Sequence, residues 1–219
     1  MSPRQNYHLV LATVTTATLG LAAASGSWAG AADRLSIVSA YLCLFLLGGA
    51  LIYGPVHALR DGRPIGNSPI RRTMGIWSAL TGLLHFLLAN VLAMNYEYLG
   101  IYVENAAKPP TAEIRSELYS WGTISGYVVA VLFLVLTALS NDRMLRLLGI
   151  KRWKRIQRSS YVVFLLTCGH ALAFQVLETR EATWVYVVLV ISLLIVSSQA
   201  FGLFAILKSR TTRAIANNR

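Results

Sequence analysis

Six long apolar segments decide what this chain can fold into. A helix needs about 20 apolar residues to cross a bilayer, and the 219-residue chain contains six runs near that length, each bounded by charged or turn-forming residues. We therefore predict an all-α integral membrane protein, a six-helix bundle that forms a single transmembrane domain over residues 1–219. The predicted spans are residues 9–31, 35–57, 74–96, 118–140, 161–177 and 184–207.

The segments between the spans are short. The longest reach about 20 residues, whereas a folded domain usually needs about 50 or more. The linkers are therefore too short to form a soluble nucleotide-binding domain. Any soluble redox or substrate domain is expected on another chain.

The net charge of +11 is distributed unevenly along the chain. With a cytoplasmic N-terminus, 16 of the 20 Lys and Arg residues fall on the cytoplasmic side, and 7 of the 9 acids fall on the other side. The positive-inside rule then predicts that both termini are cytoplasmic. A basic face beside anionic lipid accounts for this charge. We therefore expect a multi-pass protein of the bacterial inner membrane, whose partner is the lipid bilayer and not nucleic acid.

The first span has a second interpretation. Arg4, the apolar run and the sequence Ala29-Gly30-Ala31 also fit a secretory signal peptide with its cleavage site. The run is longer than the usual signal core, which favours a retained span. Cleavage would leave five spans in the same orientation, and the mass of the mature protein tests it.

The most basic stretch lies between the fourth and fifth spans. Ser140 or Asn141 is expected to cap a short helix that ends at Gly149, and the basic sequence KRWKRIQR then leads into the fifth span. This stretch fits an interfacial anchor with Trp153 at the membrane surface, or a docking surface for an acidic cytoplasmic partner.

Two histidines lie within predicted spans at matching depth. His85 follows Arg72 by 13 residues and His170 follows Arg158 by 12, which corresponds to about 19 and 18 Å along a helix. Both spans enter the membrane from the same side, so the two imidazoles are predicted to be level near the membrane centre. Because an ionisable residue inside a membrane is costly, such a pair indicates a functional site.

The histidine pair fits the axial ligands of one haem. A neutral imidazole offers one lone pair, and haem iron takes such ligands from opposite faces of the porphyrin. Gly82, one turn before His85, and Gly169, beside His170, would leave room for the flat macrocycle. The residues predicted to line this slot lie at helical spacing from the histidines: Leu88, Ala89, Leu166 and Ala173.

Other interpretations of the histidines remain open. Each could satisfy a separate hydrogen bond, or the pair could relay protons, although no Asp or Glu lies within the core of a span. A zinc or copper site needs three or four ligands, and His8 and His57 lie at the cytoplasmic edge. These two are expected to be polar helix ends, or to contact a quinol, a haem propionate or a second cofactor.

Two stretches of the sequence resemble a known family. RRTMGIWSALTGLLH and SNDRMLRLLGIKRWKRIQRSSYVVFLLTCGH are similar to the paired motifs of the ferric reductase-like transmembrane domain family, over about residues 42–175. The family includes the haem-binding membrane subunit of the periplasmic methionine sulfoxide reductase system. The resemblance implies a six-helix, cytochrome b type protein that passes electrons across the membrane, with His85 and His170 as axial ligands.

The sequence also departs from its relatives. Many members carry a second histidine on each ligand helix, about 13 residues away, and so bind two stacked haems. Counting 13 residues back from His85 and from His170 leads to Arg72 and Gln157. The resemblance therefore implies one haem b in this chain. Arg71, Arg72 and Arg158 would contact its propionates if these faced the cytoplasm.

These observations lead to one main function hypothesis. The chain is expected to be the membrane haem subunit of an oxidoreductase, with no catalytic residue of its own. Electrons would come from a cytoplasmic flavoprotein or from quinol, so a quinone or a partner's flavin is a further cofactor candidate. The acceptor would be ferric iron or a periplasmic reductase. The alternative is a haem-free transporter or assembly partner with structural or proton-relaying histidines.

Overall fold

The computed structural model describes residues 3–26, 30–61, 68–95, 112–177 and 182–217, and Ala29 of the predicted cleavage pattern lies outside these ranges. The described residues fold as helices and turns. The helices are α1 (Pro3–Ala24), α2 (Ala31–Asp61), α3 (Pro69–Asn95), α4 (Ala112–Ala138), α5 (Asp142–Gln157), α6 (Ser160–Leu177) and α7 (Ala182–Asn217).

Six stretches within the described residues are long and apolar enough to cross a membrane. They are Pro3–Ala24, Ala31–Asp61, Pro69–Ala93, Glu113–Ala138, Asp142–Leu177 and Val185–Lys208. The fifth stretch joins α5 to α6, and its apolar part is α6. The predicted all-α bundle of six membrane-length helices is confirmed.

Many large apolar side chains lie on the outside of the bundle. Leu193 and Phe204 of α7 are 67% and 66% exposed, whereas Ser39, Thr73 and Ser78 are fully buried. Small polar residues at helix contacts and apolar residues facing outward are typical of helices that pack inside lipid. Such an exterior would aggregate in water, so the packing agrees with the membrane assignment.

Helix α2 lies at the centre of the bundle, where it packs against α1, α3, α6 and α7. Helix α4 packs against α3 and α6. Helices α3 and α6 run in the same direction. We call the end that carries Arg72 and α5 the basic end, and the other the opposite end.

A buried apolar cluster and close helix crossings hold these elements together. Leu44, Leu47 and Leu51 of α2 lie in the same buried cluster as residues of α4, α6 and α7. At the crossing of α2 and α7, a Cβ on Gly202 would lie 2.8 Å from the Cα of Pro55. Only glycine at residue 202 allows the two backbones to approach this closely.

Helix α5 lies at the basic end and contains a break. Asn141 caps its N-terminus by accepting a hydrogen bond from the Met144 amide at 2.8 Å, as predicted. Gly149 has φ 70° and ψ 157°, so the helix is interrupted at the predicted residue and then continues to Gln157. Trp153 is buried and donates to the carbonyl of Leu139 at 2.9 Å, which fastens α5 to the end of α4.

Two buried arginines hold helix ends at the opposite end of the bundle. Arg34 donates to the carbonyls of Ala22 and Ala23 in α1, at 2.8 and 2.9 Å. Arg115 donates to the carbonyl of Leu177 in α6 at 3.1 Å. The last carbonyls of a helix lack intrahelical partners and carry partial negative charge. These two arginines therefore serve as helix caps.

Candidate functional site

The structure brings His85 of α3 and His170 of α6 together. Both side chains are half-buried, their ring centres are 6.1 Å apart and their planes differ by 76°. Residues so distant in sequence meet because α3 and α6 both pack against α2 and α4. The expectation of level histidines on parallel helices therefore agrees with the packing.

Each histidine is held by a backbone carbonyl of a different helix. Nδ1 of His85 lies 2.9 Å from the carbonyl oxygen of Ser36 and 3.1 Å from its hydroxyl oxygen. Nδ1 of His170 lies 2.8 Å from the carbonyl oxygen of Gly122. A carbonyl can only accept, so Nδ1 of each ring carries the proton. In the neutral tautomer the lone pair is then on Nε2 of both rings.

The two carbonyls have matching surroundings. Ser39 donates its hydroxyl hydrogen to the carbonyl of Ser36 at 2.9 Å, and Ser125 donates to the carbonyl of Gly122 at 2.8 Å. Both serines lie three residues after the carbonyl and are buried. Each histidine is therefore oriented by a carbonyl that also accepts a hydrogen bond from a serine one turn away.

Glycines of α4 make room for the His170 ring. A Cβ on Gly126 would lie 2.9 Å from Cε1 and 3.1 Å from Nδ1 of His170. A Cβ on Gly122 would lie 2.9 Å from the ring of Phe174, whose centre is 4.9 Å from that of His170. The small residues of α4 thus allow α6 to present His170 close to the α4 backbone.

The two glycines predicted beside a haem face protein side chains in this structure. A Cβ on Gly82 would lie 2.9 Å from Sγ of Cys43 and 3.0 Å from the ring of Phe133. A Cβ on Gly169 would meet the Trp121 ring. Both glycines therefore permit close helix packing, and their contact with a cofactor stays a prediction.

The other two histidines lie away from this pair. His8 accepts a hydrogen bond from Nε1 of Trp77 at 3.2 Å, which joins α1 to α3. Nε2 of His57 lies 3.0 Å from the carboxylate of Asp61, one turn later in α2. Neither belongs to a metal-binding group, because the described part of the chain contains no cluster of three or more His, Cys, Asp or Glu residues suited to a metal ion.

A separate cavity of about 500 Å³ lies at the basic end, between α2, α3, α4, α6 and α7, and is bordered by α5. Arg72 and Gln157, the residues at the positions of a second ligand pair, both line it, and so do Arg71 and Arg158. Neither His85 nor His170 lines it. The helices therefore present two distinct sites at two depths.

Arg72 is fixed within this basic end. Its side chain is 8% exposed and donates to the carboxylate of Asp142 at 2.6 Å and to the carbonyl of Ser140 at 2.9 Å. Its guanidinium carbon lies 5.8 Å from the centre of a Trp153 ring. The carboxylate of Asp142 also binds Arg4 of α1 at 3.3 Å. Arg72 thus links α3 to α5, and through Asp142 to α1.

Sequence reasoning missed the residues that orient the histidines. Ser36 and Ser39 precede His85 by 49 and 46 residues and belong to no motif. The sequence Gly122-Thr-Ile-Ser-Gly126 does carry a signal, since small residues four apart are typical of close helix packing in membranes. That pattern indicates proximity to another helix but does not identify the histidine.

Six membrane-length helices and two neighbouring histidines on parallel helices define a multi-pass membrane protein with a paired-histidine centre. The chain belongs to the family of ferric reductase like transmembrane components, which matches residues 35–168. The matched range contains His85 and ends two residues before His170.

One curated relative is similar over much of the chain. The sequence is 27% identical over 145 residues to the protein-methionine-sulfoxide reductase heme-binding subunit MsrQ of Pasteurella multocida (strain Pm70). The match covers 66% of this chain and 63% of the relative. The chain therefore spans less than two thirds of the length of that relative.

Proposed function

We propose that this chain is a transmembrane electron-transfer protein that binds one haem b between α3 and α6, with His85 and His170 as axial ligands. The observation that carries the proposal is the arrangement of the two rings. Their ring centres lie 6.1 Å apart, and each Nδ1 lies within hydrogen-bond distance of a backbone carbonyl. The heme-binding relative supports the same assignment.

The ring spacing fits one shared metal ion. Imidazole nitrogens bind metal ions at about 2 Å and the ring centre lies about 1 Å behind the nitrogen, so two imidazoles on opposite sides of one metal have centres about 6 Å apart. The donor set fits as well, since both neutral rings carry a lone pair at Nε2. Protonated Nδ1 atoms bound to carbonyls are the usual outer contacts of metal-binding histidines.

The protein residues have distinct roles in this proposal. His85 and His170 hold the iron, and the carbonyls of Ser36 and Gly122 fix the rotation and the tautomer of the rings. The apolar helices around them exclude water from the site. When bound, haem b supplies a one-electron carrier in the middle of the membrane.

The direction of electron flow follows from the proposed orientation. We place the basic end in the cytoplasm, because it carries most of the Lys and Arg residues. The donor is then a cytoplasmic flavoprotein, docked on the exposed basic residues of α5, or a membrane quinol. The acceptor lies beyond the opposite end and is a periplasmic reductase or ferric iron. The relative's name favours the reductase. The membrane in this proposal is the bacterial inner membrane.

Visible spectroscopy of the purified full chain tests the proposal. We expect a reducible Soret band and α band with one haem per chain. In His85→Ala and in His170→Ala, bound haem should fall to below about a tenth of the wild-type amount, because one axial ligand and its oriented nitrogen are lost. His57→Ala is the matched control, since His57 lies at a helix end beside Asp61, and it should keep the wild-type spectrum.

Two results would reject the proposal. A colourless protein that is folded by circular dichroism, even after expression with added haem, would favour a haem-free membrane protein. Equal haem loss in the His57 control would show that the two site histidines are not the specific ligands.

A further inference from the structure

The cavity at the basic end has an apolar wall and a basic rim. Its wall includes Leu47, Leu51, Phe133 and Val163, and its volume is about 500 Å³. The basic residues that line it come from α3, α5 and the turn before α6: Arg71, Arg72, Lys154 and Arg158. No Asp or Glu is found among its lining residues in the described part of the chain. The cavity is therefore suited to an anionic amphiphile.

Two lining residues have N–H groups without an acceptor. Nε of Arg72 and Nε2 of Gln157 are shielded from solvent and have no hydrogen-bond partner among the described residues. Arg72 as a whole is only 9% exposed. An unpaired buried donor is costly, more so on a charged group. An anion in the cavity would therefore offer acceptors to these two donors once the Arg72 and Gln157 side chains turned towards it.

The same two residues make iron a poor occupant of this cavity. A guanidinium has five N–H donors and no acceptor, and the amide nitrogen of Gln157 is likewise a donor. The sequence thus places N–H groups 13 residues before His85 and His170, on Arg72 of α3 and on Gln157 at the end of α5. The change in side-chain chemistry selects an oxygen anion.

We infer that this cavity binds an anionic phospholipid, with the phosphate at the Arg72, Gln157 and Arg158 side chains and an acyl chain against the apolar wall. The inference rests on the orientation in the proposed function, which puts the basic end in the leaflet that carries anionic lipid. Basic pockets between transmembrane helices on that side are suited to anionic lipid head groups. Charge complementarity and the apolar wall together favour a lipid over a free anion.

Native mass spectrometry of the full chain in detergent tests this inference. The probes are phosphatidylglycerol and phosphatidylcholine with the same acyl chains. We expect phosphatidylglycerol to bind on the order of tenfold more tightly. Gln157→Leu removes an unpaired donor and Arg158→Gln removes a rim charge, so each should weaken phosphatidylglycerol binding roughly fivefold. Arg152→Gln is the matched control, since Arg152 is an exposed base of α5 outside the cavity.

The result that supports the inference is selective loss in the two cavity variants with little change in the control. Equal affinity for the two lipids would overturn it, and so would equal losses in Arg152→Gln and Arg158→Gln, because both indicate general attraction to lipid. If inorganic phosphate competes as well as phosphatidylglycerol, the site takes a free anion and no lipid.

A ratio of two haems per chain would also overturn the inference, because the second haem would then lie in the cavity. The absorption spectrum of the same sample reports separately on the histidine site.

Discussion

The histidine pair and the cavity at the basic end present opposite chemistry at positions 13 residues apart in the sequence. His85 and Arg72 lie 13 residues apart on one continuous helix. His170 lies in α6, and Gln157 lies 13 residues earlier, at the end of α5. At the depth of the histidine pair, both side chains are imidazoles whose Nδ1 donates a hydrogen bond to a carbonyl. At the second depth both side chains carry N–H donors, and Nε of Arg72 and Nε2 of Gln157 have no acceptor within the described part of the chain.

This difference shows that helix packing determines which positions meet, whereas the side chains at those positions determine what can bind there. The packing of the bundle brings each pair of positions together, but only a side chain with a lone pair can bind iron. The anchors differ as well, since backbone carbonyls orient the histidines, whereas the Asp142 side chain helps to hold Arg72. A substitution can remove a side-chain anchor and leaves a carbonyl in place.

The largest expected effect comes from placing a histidine pair in the cavity at the basic end. The double variant Arg72→His and Gln157→His supplies two lone pairs at the cavity, so we expect bound haem to rise from one per chain towards two. Either single variant should stay at one haem, because one ligand is still missing. Haem quantification against protein mass measures this ratio. A double variant that folds and still binds one haem would show that the cavity cannot accept a porphyrin.

A smaller effect is expected from crowding the His170 ring. In Gly126→Ala the new methyl group would lie 2.9 Å from Cε1 of His170, so the ring must move away from α4. Overpacking of this kind costs about 1–3 kcal/mol, and haem affinity should fall by roughly tenfold or more. Haem transfer to apomyoglobin measures the change.

Gly75→Ala is the matched control for this substitution. It adds the same methyl group to α3, where a Cβ meets nothing within 4 Å. Haem affinity in this variant should equal that of the wild type. Equal losses in the two variants would show that the effect arises from glycine replacement in general and not from the His170 contact.

The smallest expected effect comes from the serines that share the two carbonyls. Ser39→Ala and Ser125→Ala each remove a hydroxyl while the histidine keeps its carbonyl partner. Each of these hydrogen bonds lies within one helix, and its loss leaves the contact between the carbonyl and the histidine in place, so haem affinity should change by about threefold or less. Ser198→Ala, which loses a similar bond to the Ile195 carbonyl in α7, is the control. A complete loss of haem in Ser125→Ala would mean that this serine is a principal support of His170.

The basic end shows where local sequence signals succeed. Ser140 or Asn141 was predicted as the helix cap, and the structure has Asn141 in that role. The helix was predicted to end at Gly149, where a positive φ interrupts it before it continues to Gln157. Both signals are local, because capping and positive φ depend on adjacent residues. The protein neighbours of Gly82 could not be predicted in this way. Its contact with a cofactor remains a prediction from its spacing to His85, and the structure places it beside Cys43 of α2 and Phe133 of α4. Contacts between distant helices are not encoded in spacing along one helix.

By itself the sequence determined the membrane-length helices, the parallel course of α3 and α6, and the level positions of His85 and His170. These features follow from helix rise, apolar length and charge, all of which are local properties of the chain. Only the tertiary structure decided which carbonyls hold the imidazoles, because Ser36 and Gly122 reach them from other helices. It also decided that Arg72 and Gln157 border one cavity. Contacts between residues of different helices depend on how the side chains of those helices pack together, and the sequence of one segment does not contain that information.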